Sequence, residues 1–189
     1  PVAPLKASCW VPEEYTLSQL REEDVSPLVK SLGRWYPDIQ VGSETCHLQE
    51  AFYHENVFLE GGDPGQDILC GVVKDGPSIL AFMTVQRDVD ARTVFGRLAV
   101  IDPLHRGEKL SAFIPAFLEQ VGRSIGAELV YTFVSLKTKG HQIIPKKQGY
   151  RCVGIVPAFD RDMVSPGVIK RVYEAIWAKV LVAPDQVLT

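Results

Sequence analysis

The sequence predicts a mixed α/β domain in which a mostly antiparallel sheet is flanked by about four helices. Three observations predict it. Residues 67–102 hold three β-rich runs, "DILCGVVK", "SILAFMTVQRD" and "TVFGRLAVID", separated by turn residues alone, and consecutive strands joined by short turns pair antiparallel. Leu110, Phe113, Ile114, Phe117, Leu118, Val121 and Ile125 then recur at steps of three and four, the apolar stripe of a helix laid on a sheet. The β-rich run "ELVYTFVSL" follows, and a strand, helix, strand order implies a crossover to a parallel neighbour.

The elements can be read in order. "YTLSQL" alternates as a short strand does, and "REEDVSPLVKSLGRWYP" reads as a helix with acids in its first turn and Pro37 at its end. "SETCHLQEAFYHENVFLE" sets Leu48, Ala51, Phe52, Val57 and Phe58 near helical spacing. It predicts a second helix, opened by Ser43 and Cys46 at the positions of a capping box that lacks its Glu. "EGGDPGQD" is a loop, and Lys74-Asp75-Gly76-Pro77 and Asp90-Ala91-Arg92 are turns between the three runs. Pro115 inside the apolar stripe predicts a kink or disturbed first turns. "KGHQIIPKKQGY" reads as a short basic helix and "RCVGIVPAFD" as a strand, while "IKRVYEAIWAKVLV" fits a strand or a helix. Without repeats or linkers, the expected organisation is one domain over residues 15–182, with an extension at 1–14 and a tail at 183–189.

At 189 residues, 46% hydrophobic and 23% charged, the chain has material for one sizeable core. A formal net charge of -3 gives no global attraction for nucleic acid or an anionic membrane, so an anion site has to be local. Cys9, Cys46, Cys70 and Cys152 show no zinc-ligand spacing, and reduced thiols are expected. His47 and His54, with Cys46, Glu50 and Glu55, read as a solvated helix face and not as metal ligands. "PVAPLKASCW" lacks the basic and apolar regions of a signal peptide, so the expected location is cytoplasmic.

One stretch carries chemistry. In "AVIDPLHRGEKLSAFIPAFLEQVG", residues 99–122, Arg106, Gly107 and Lys109 stand where the long helix begins. Cations sit badly at a helix N-terminus, where unpaired amides make the end partly positive. A bound phosphate would remove the objection.

The order of elements is similar to that of the GNAT superfamily of acyl-CoA-dependent N-acyltransferases. "AVIDPLHRG" resembles that family's fourth strand with its Pro-x-x-Arg-Gly ending, and "KKQGYRCVGIVP" resembles its Leu-Gly-Phe segment. The likeness spans nearly the whole chain. It implies acetyl-CoA or another acyl-CoA as cosubstrate, no metal, an amine-bearing small molecule or protein as acceptor, and a homodimer as a possible assembly. Backbone amides around Val100 and Ile101 would hold the thioester carbonyl and pantetheine. Arg106, Gly107, Glu108, Lys109, Leu110 and Ser111 would cradle the pyrophosphate, and Lys137, Lys139 or Lys146 the adenosine 3'-phosphate. Residues 21–60 would wall the acceptor site with Arg34, Trp35, Tyr36, His47, Tyr53 and His54.

The chain departs from the family at two places. Lys109 and Ser111 stand where the family's loop carries small residues, and the position of its tyrosine acid falls on Pro145. Thr138 stands at its frequent Asn. Tyr131, His141 and Tyr150 are the substitutes within reach of the same region. The second reading, from a different class, is a domain of this fold that has lost catalysis and serves as a CoA sensor or protein-interaction module.

Overall fold

The computed structural model describes residues 11–107 and 110–183. Eight strands form one sheet: β1 (Thr16–Gln19), β2 (Val57–Phe58), β3 (Ile68–Asp75), β4 (Ser78–Asp88), β5 (Thr93–Ile101), β6 (Leu129–Ser135), β7 (Arg151–Ser165) and β8 (Val168–Val180). Their spatial order is β1-β3-β4-β5-β6-β8-β7, with β2 beside β3. The expected meander is β3, β4 and β5. The expected crossover runs from β5 through α3 (Phe113–Ser124) to β6, its parallel neighbour. The segment left open between helix and strand is β8, which pairs with β6 on one side and β7 on the other. Among the described residues no helix is long and apolar enough to cross a membrane.

Helices cover both faces of the central strands. α3 buries Phe113, Phe117, Leu118 and Val121 against Val85, Val94 and Val130 on one face. On the other, α1 (Val25–Trp35) and α2 (Glu50–Asn56) enclose Leu28, Leu32 and Tyr53 with Val72 and Phe82. β3 and β4 therefore read as nearly continuous apolar runs, as strands buried on both sides do. The Phe117 ring lies against Gly71 of β3, so close that a Cβ there would stand 2.5 Å from the ring. Gly71→Ala is expected to cost about 1 to 3 kcal/mol through overpacking, read as a lower urea midpoint, with Phe117→Leu recovering part of the loss.

One expectation is corrected and another is narrowed. The second helix is not continuous: residues Thr45–Leu48 form a 3-10 turn, Gln49 is extended at φ -117 and ψ 123, and α2 starts at Glu50. Tertiary structure overrides local pattern there, because His47 turns into the core and Ser43 bonds to Asp160 on β7 instead of capping a helix. Pro115 does not end the helix, and the turn before it departs from α-helical form, one of the two outcomes expected. It is the third residue of α3, led in by a 3-10 turn at Leu110–Ala112, where the missing N–H has no intrahelical partner to lose.

Candidate functional site

The site begins with one surplus residue. β4 and β5 shift register between Thr84 and Val85, which face Leu98 and Gly96, so Arg97 is the extra residue of a β-bulge. β5 and β6 are paired only from Thr93 with Leu129 to Gly96 with Thr132. Beyond the bulge they separate, and residues 97–101 leave a free edge toward β6. Peptide groups alternate sides along a strand. Before the bulge, even-numbered residues of β5 face β6, as Glu128 N–H donating to Arg92 O shows. After it the parity is reversed: Asp102 N–H donates to Leu80 O at 2.7 Å, so Leu98 and Val100 face β4 while Ala99 and Ile101 face the gap. Of the two amides named from the sequence, that of Ile101 faces the gap and that of Val100 faces β4; the Ala99 amide also faces the gap. Across the gap, Gln142 Nε2 donates to Val134 O and Ser135 O and its Oε1 accepts from Trp177 Nε1 at 2.7 Å. Gln142, unmarked in the sequence, thereby fixes the end of β6.

The gap opens toward the start of α3. Asp102 caps the turn Pro103–His105 by accepting from Leu104 N–H at 3.0 Å. Arg106 and Gly107 follow, both exposed, and Ser111 is half-buried. Glu108 and Lys109 lie outside the described residues. No side chain caps α3 at Ala112, which leaves its first amides for another acceptor. α4 (Lys139–Lys147) packs nearby. Partial desolvation, then the charges of Arg106 and Lys137, lower the His141 pKa.

The opposite mouth of the gap, under α1 and α2, is acidic and aromatic. Glu174 on β8 pairs with Ser135 at the end of β6, and side chains directly opposed in a ladder share a face. Asp160 and Asp162 of β7 join it through their partners Val172 and Lys170. Asp160 accepts from Ser43 N–H at 3.1 Å and Ser43 Oγ at 2.9 Å. Gly42 permits this approach, since a Cβ there would stand 2.6 Å from Arg161 O. Asp162 is 7% exposed; its Oδ2 meets Lys137 Nζ at 2.8 Å and its Oδ1 has no partner. Lys137, expected at a phosphate, is thus paired with a carboxylate of this acidic mouth. Burial and the charges of Asp160, Asp162 and Glu44 push the Glu174 carboxyl up to about 7. The Tyr36 hydroxyl is pushed up to about 12 by burial and by Asp162, Asp38, Glu174 and Asp160. Phe159 stacks on Phe133 with centroids 4.3 Å apart, carried there by a bulge in β7 where Ala158 takes φ 53.

A second polar group underpins this mouth. Side-chain atoms of Glu44, Cys46 and His47 lie within 4.8 Å of one another, as metal donors would, yet each has a partner. Arg97 donates to Glu44 Oε2 at 3.2 Å and to Gln86 Oε1 at 2.9 Å, and lies 3.9 Å from Cys46 Sγ. His47 is fully buried, so the expectation of a solvated face fails for it. Its Nε2 lies 2.8 Å from Thr84 Oγ1 and its Nδ1 3.0 Å from Glu44 O. Burial lowers its pKa to about 3, opposed by the Glu44 carbonyl and aided by Arg97. The ring is thus neutral and structural, despite Glu44 Oε2 at 3.2 Å.

The three substitute acids are not brought together. Tyr131 stacks on Phe95 in the part of β6 still paired with β5, beside a depression of about 400 Å³ that also includes Asp67, Arg87 and Asp90. Tyr150 is 3% exposed, donates to Pro115 O at 3.0 Å and has its hydroxyl pKa raised by burial.

Solved N-acetyltransferases superpose on this chain over most of its length. The ribosomal-protein-S18-alanine N-acetyltransferase from Escherichia coli superposes with a TM-score of 0.68 at 14% identity, over 93% of this chain and 99% of that one. A mutant spermidine N-acetyltransferase from Vibrio cholerae gives 0.66 at 12% identity, over 88% and 94%. An IAA acetyltransferase from Bacillus cereus gives 0.63 at 12%, over 88% and 99%. This chain has the GNAT fold. No family model matches its sequence, and no curated protein matches it either. The GNAT likeness is thus one of architecture, held over most of the chain at 12 to 14% identity.

Proposed function

We propose that the protein is an N-acyltransferase that moves an acetyl or other short acyl group from acyl-CoA to an amine by direct attack, within a single domain over residues 15–182. The observation that carries this reading is the free edge of β5 from Arg97 to Ile101, opposite the end of β6. A pantetheine arm is an extended chain of amides and fits such an edge as a strand would. The Ile101 and Ala99 amides supply donors for it and for the thioester carbonyl. Arg106, Gly107 and the amides from Leu110 and Ser111 into α3 receive the pyrophosphate, and Glu108 and Lys109 belong to the same turn. Lys139 and Lys146, exposed on α4, serve the 3'-phosphate. The E. coli and Vibrio proteins, whose names specify alanine and spermidine acceptors, agree with an amine here.

A thermal-shift titration with acetyl-CoA, CoA and pantetheine tests the reading. A ligand at a hundred times its dissociation constant adds about 2.7 kcal/mol, several degrees for a domain of this size. Acetyl-CoA and CoA are expected to give that shift and pantetheine much less. Arg106→Glu is expected to weaken CoA binding by roughly ten- to a hundredfold, the worth of about 1.5 to 3 kcal/mol for a charged hydrogen bond. No shift at millimolar acetyl-CoA defeats the reading, and an unchanged shift in Arg106→Glu defeats the phosphate assignment.

A further inference from the structure

Resting on that reading, we propose that the acidic mouth selects an acceptor bearing two positive charges: Glu174 takes the proton of the reacting ammonium, and Asp160 and Asp162 hold the second cation. The charges do not balance within the chain. Arg97 answers Glu44, and Lys137 answers Asp162 at 2.8 Å with Asp38 at 3.9 Å. Asp160 is held by the neutral donors of Ser43, and among the described residues no cation lies within ion-pair reach of Asp160 or Glu174. Asp162 adds an independent sign. It is buried, and its Oδ1 is left without a hydrogen bond, a cost that nature rarely leaves unanswered. The chain's own Lys137 shows what answers it, since an ammonium already rests on the other oxygen of that carboxylate. The stacked Phe133 and Phe159 rings offer faces for an alkyl spacer or a cation.

Glu174 stands where proton transfer is needed, opposite Ser135 where β6 has parted from β5. The ammonium gives one proton to the Glu174 carboxylate, breaking N–H and forming O–H. The freed lone pair attacks the thioester carbon, C–N forms, C–S breaks, and the departing thiolate takes the second proton of the nitrogen. Glu174 returns its proton to water. The groups that act on Glu174 are Asp160 and Asp162 from β7, Glu44 from the helical side and Tyr36 at the end of α1; Arg97 and Lys137 reach this mouth through Glu44 and Asp162, and Asp38 through Lys137. Burial first, and then the negative charges of Asp160, Asp162 and Glu44, push the Glu174 carboxyl up to about 7, as a general base requires.

The test uses the full chain with acetyl-CoA and three acceptors of one length: 1,4-diaminobutane, butylamine and 4-aminobutanoate, carrying two, one and no net positive charges. The expected order of kcat/KM follows the charge, by about tenfold per step. In the wild type, kcat/KM for the diamine rises with pH up to about 7 and then levels. In Glu174→Gln it is expected to fall by roughly 10² to 10⁴ and to climb with free amine past pH 7 without levelling. That variant is expected to melt higher than wild type at pH 8, since it removes a carboxylate charged against its surroundings, so lost activity is not lost fold. Asp162→Asn should raise KM for the diamine by a larger factor than KM for butylamine. Equal turnover of the three acceptors, or a profile in Glu174→Gln that still levels near 7, overturns the inference while acyl transfer stands. Absence of any acetyl-CoA shift or transfer overturns both, unlike those results.

Discussion

Arg97→Met is expected to destabilise the protein by about 3 to 5 kcal/mol, because it strands Glu44 in a largely buried site without its counterion. The pair is 17% and 18% exposed. Burial already raises the Glu44 pKa, and Arg97 is what holds it down. The loss should shrink in acid, where Glu44 takes a proton and no longer needs a cation. Glu44→Gln in the same background should recover most of it, and a double-mutant cycle in urea isolates the coupling. A loss below 1 kcal/mol, or no rescue, would mean that the guanidinium acts through Phe52, which it overlies at 5.6 Å, and not through its charge.

The second large effect is a stability that falls in acid through His47. Its folded pKa of about 3 lies below the ordinary 6.5. Above pH 6.5 the ring is neutral folded or unfolded, and its contribution is constant. Between 6.5 and about 3 the unfolded chain binds a proton that the folded one does not, so stability declines by about 1.4 kcal/mol per pH unit. Glu174 acts oppositely: its folded pKa of about 7 lies above 4.5, so acidification from 7 to 4.5 relieves the folded state. Comparison with His47→Gln, which lacks one titration and keeps the other, separates them. The stability of wild type relative to that variant is expected to drop by about 2 to 3 kcal/mol from pH 6.5 to 4.5. Parallel curves would refute a neutral buried imidazole.

The crossover, the meander and the start of α3 were legible in the sequence because each depends on local periodicity: Phe113, Phe117 and Val121 fall on one helical stripe whatever lies beneath them. The basic turn at Arg106 was legible because its charges conflict with the helix end they occupy. The acidic mouth was not. Asp160, Asp162 and Glu174 come from two strands whose pairing is interrupted by bulges, and they meet Glu44 and Asp38 only when the helical layer folds down on the sheet. His47 looked like surface for a related reason: a polar side chain reaches the core only if a partner waits there, and Thr84 is 37 positions away. Gln142 carries no motif, and its value lies in carbonyls at the end of β6, where that strand has parted from β5.

The surplus residue in β5 has a consequence for how the chain tolerates length changes. Loops such as that around Gly61 and Gly62 can gain or lose a residue with little effect. Position 97 cannot. Deleting one residue there restores uniform alternation, so that the peptide groups now facing β4 turn outward, those facing the gap turn inward, and Ala99 and Ile101 exchange layers with their neighbours. Four residues of strand would keep their identities and lose their assignments. The chain thus stores part of its site as a count of residues, and any alignment that slides a gap across this point misreads every position from 98 to 101.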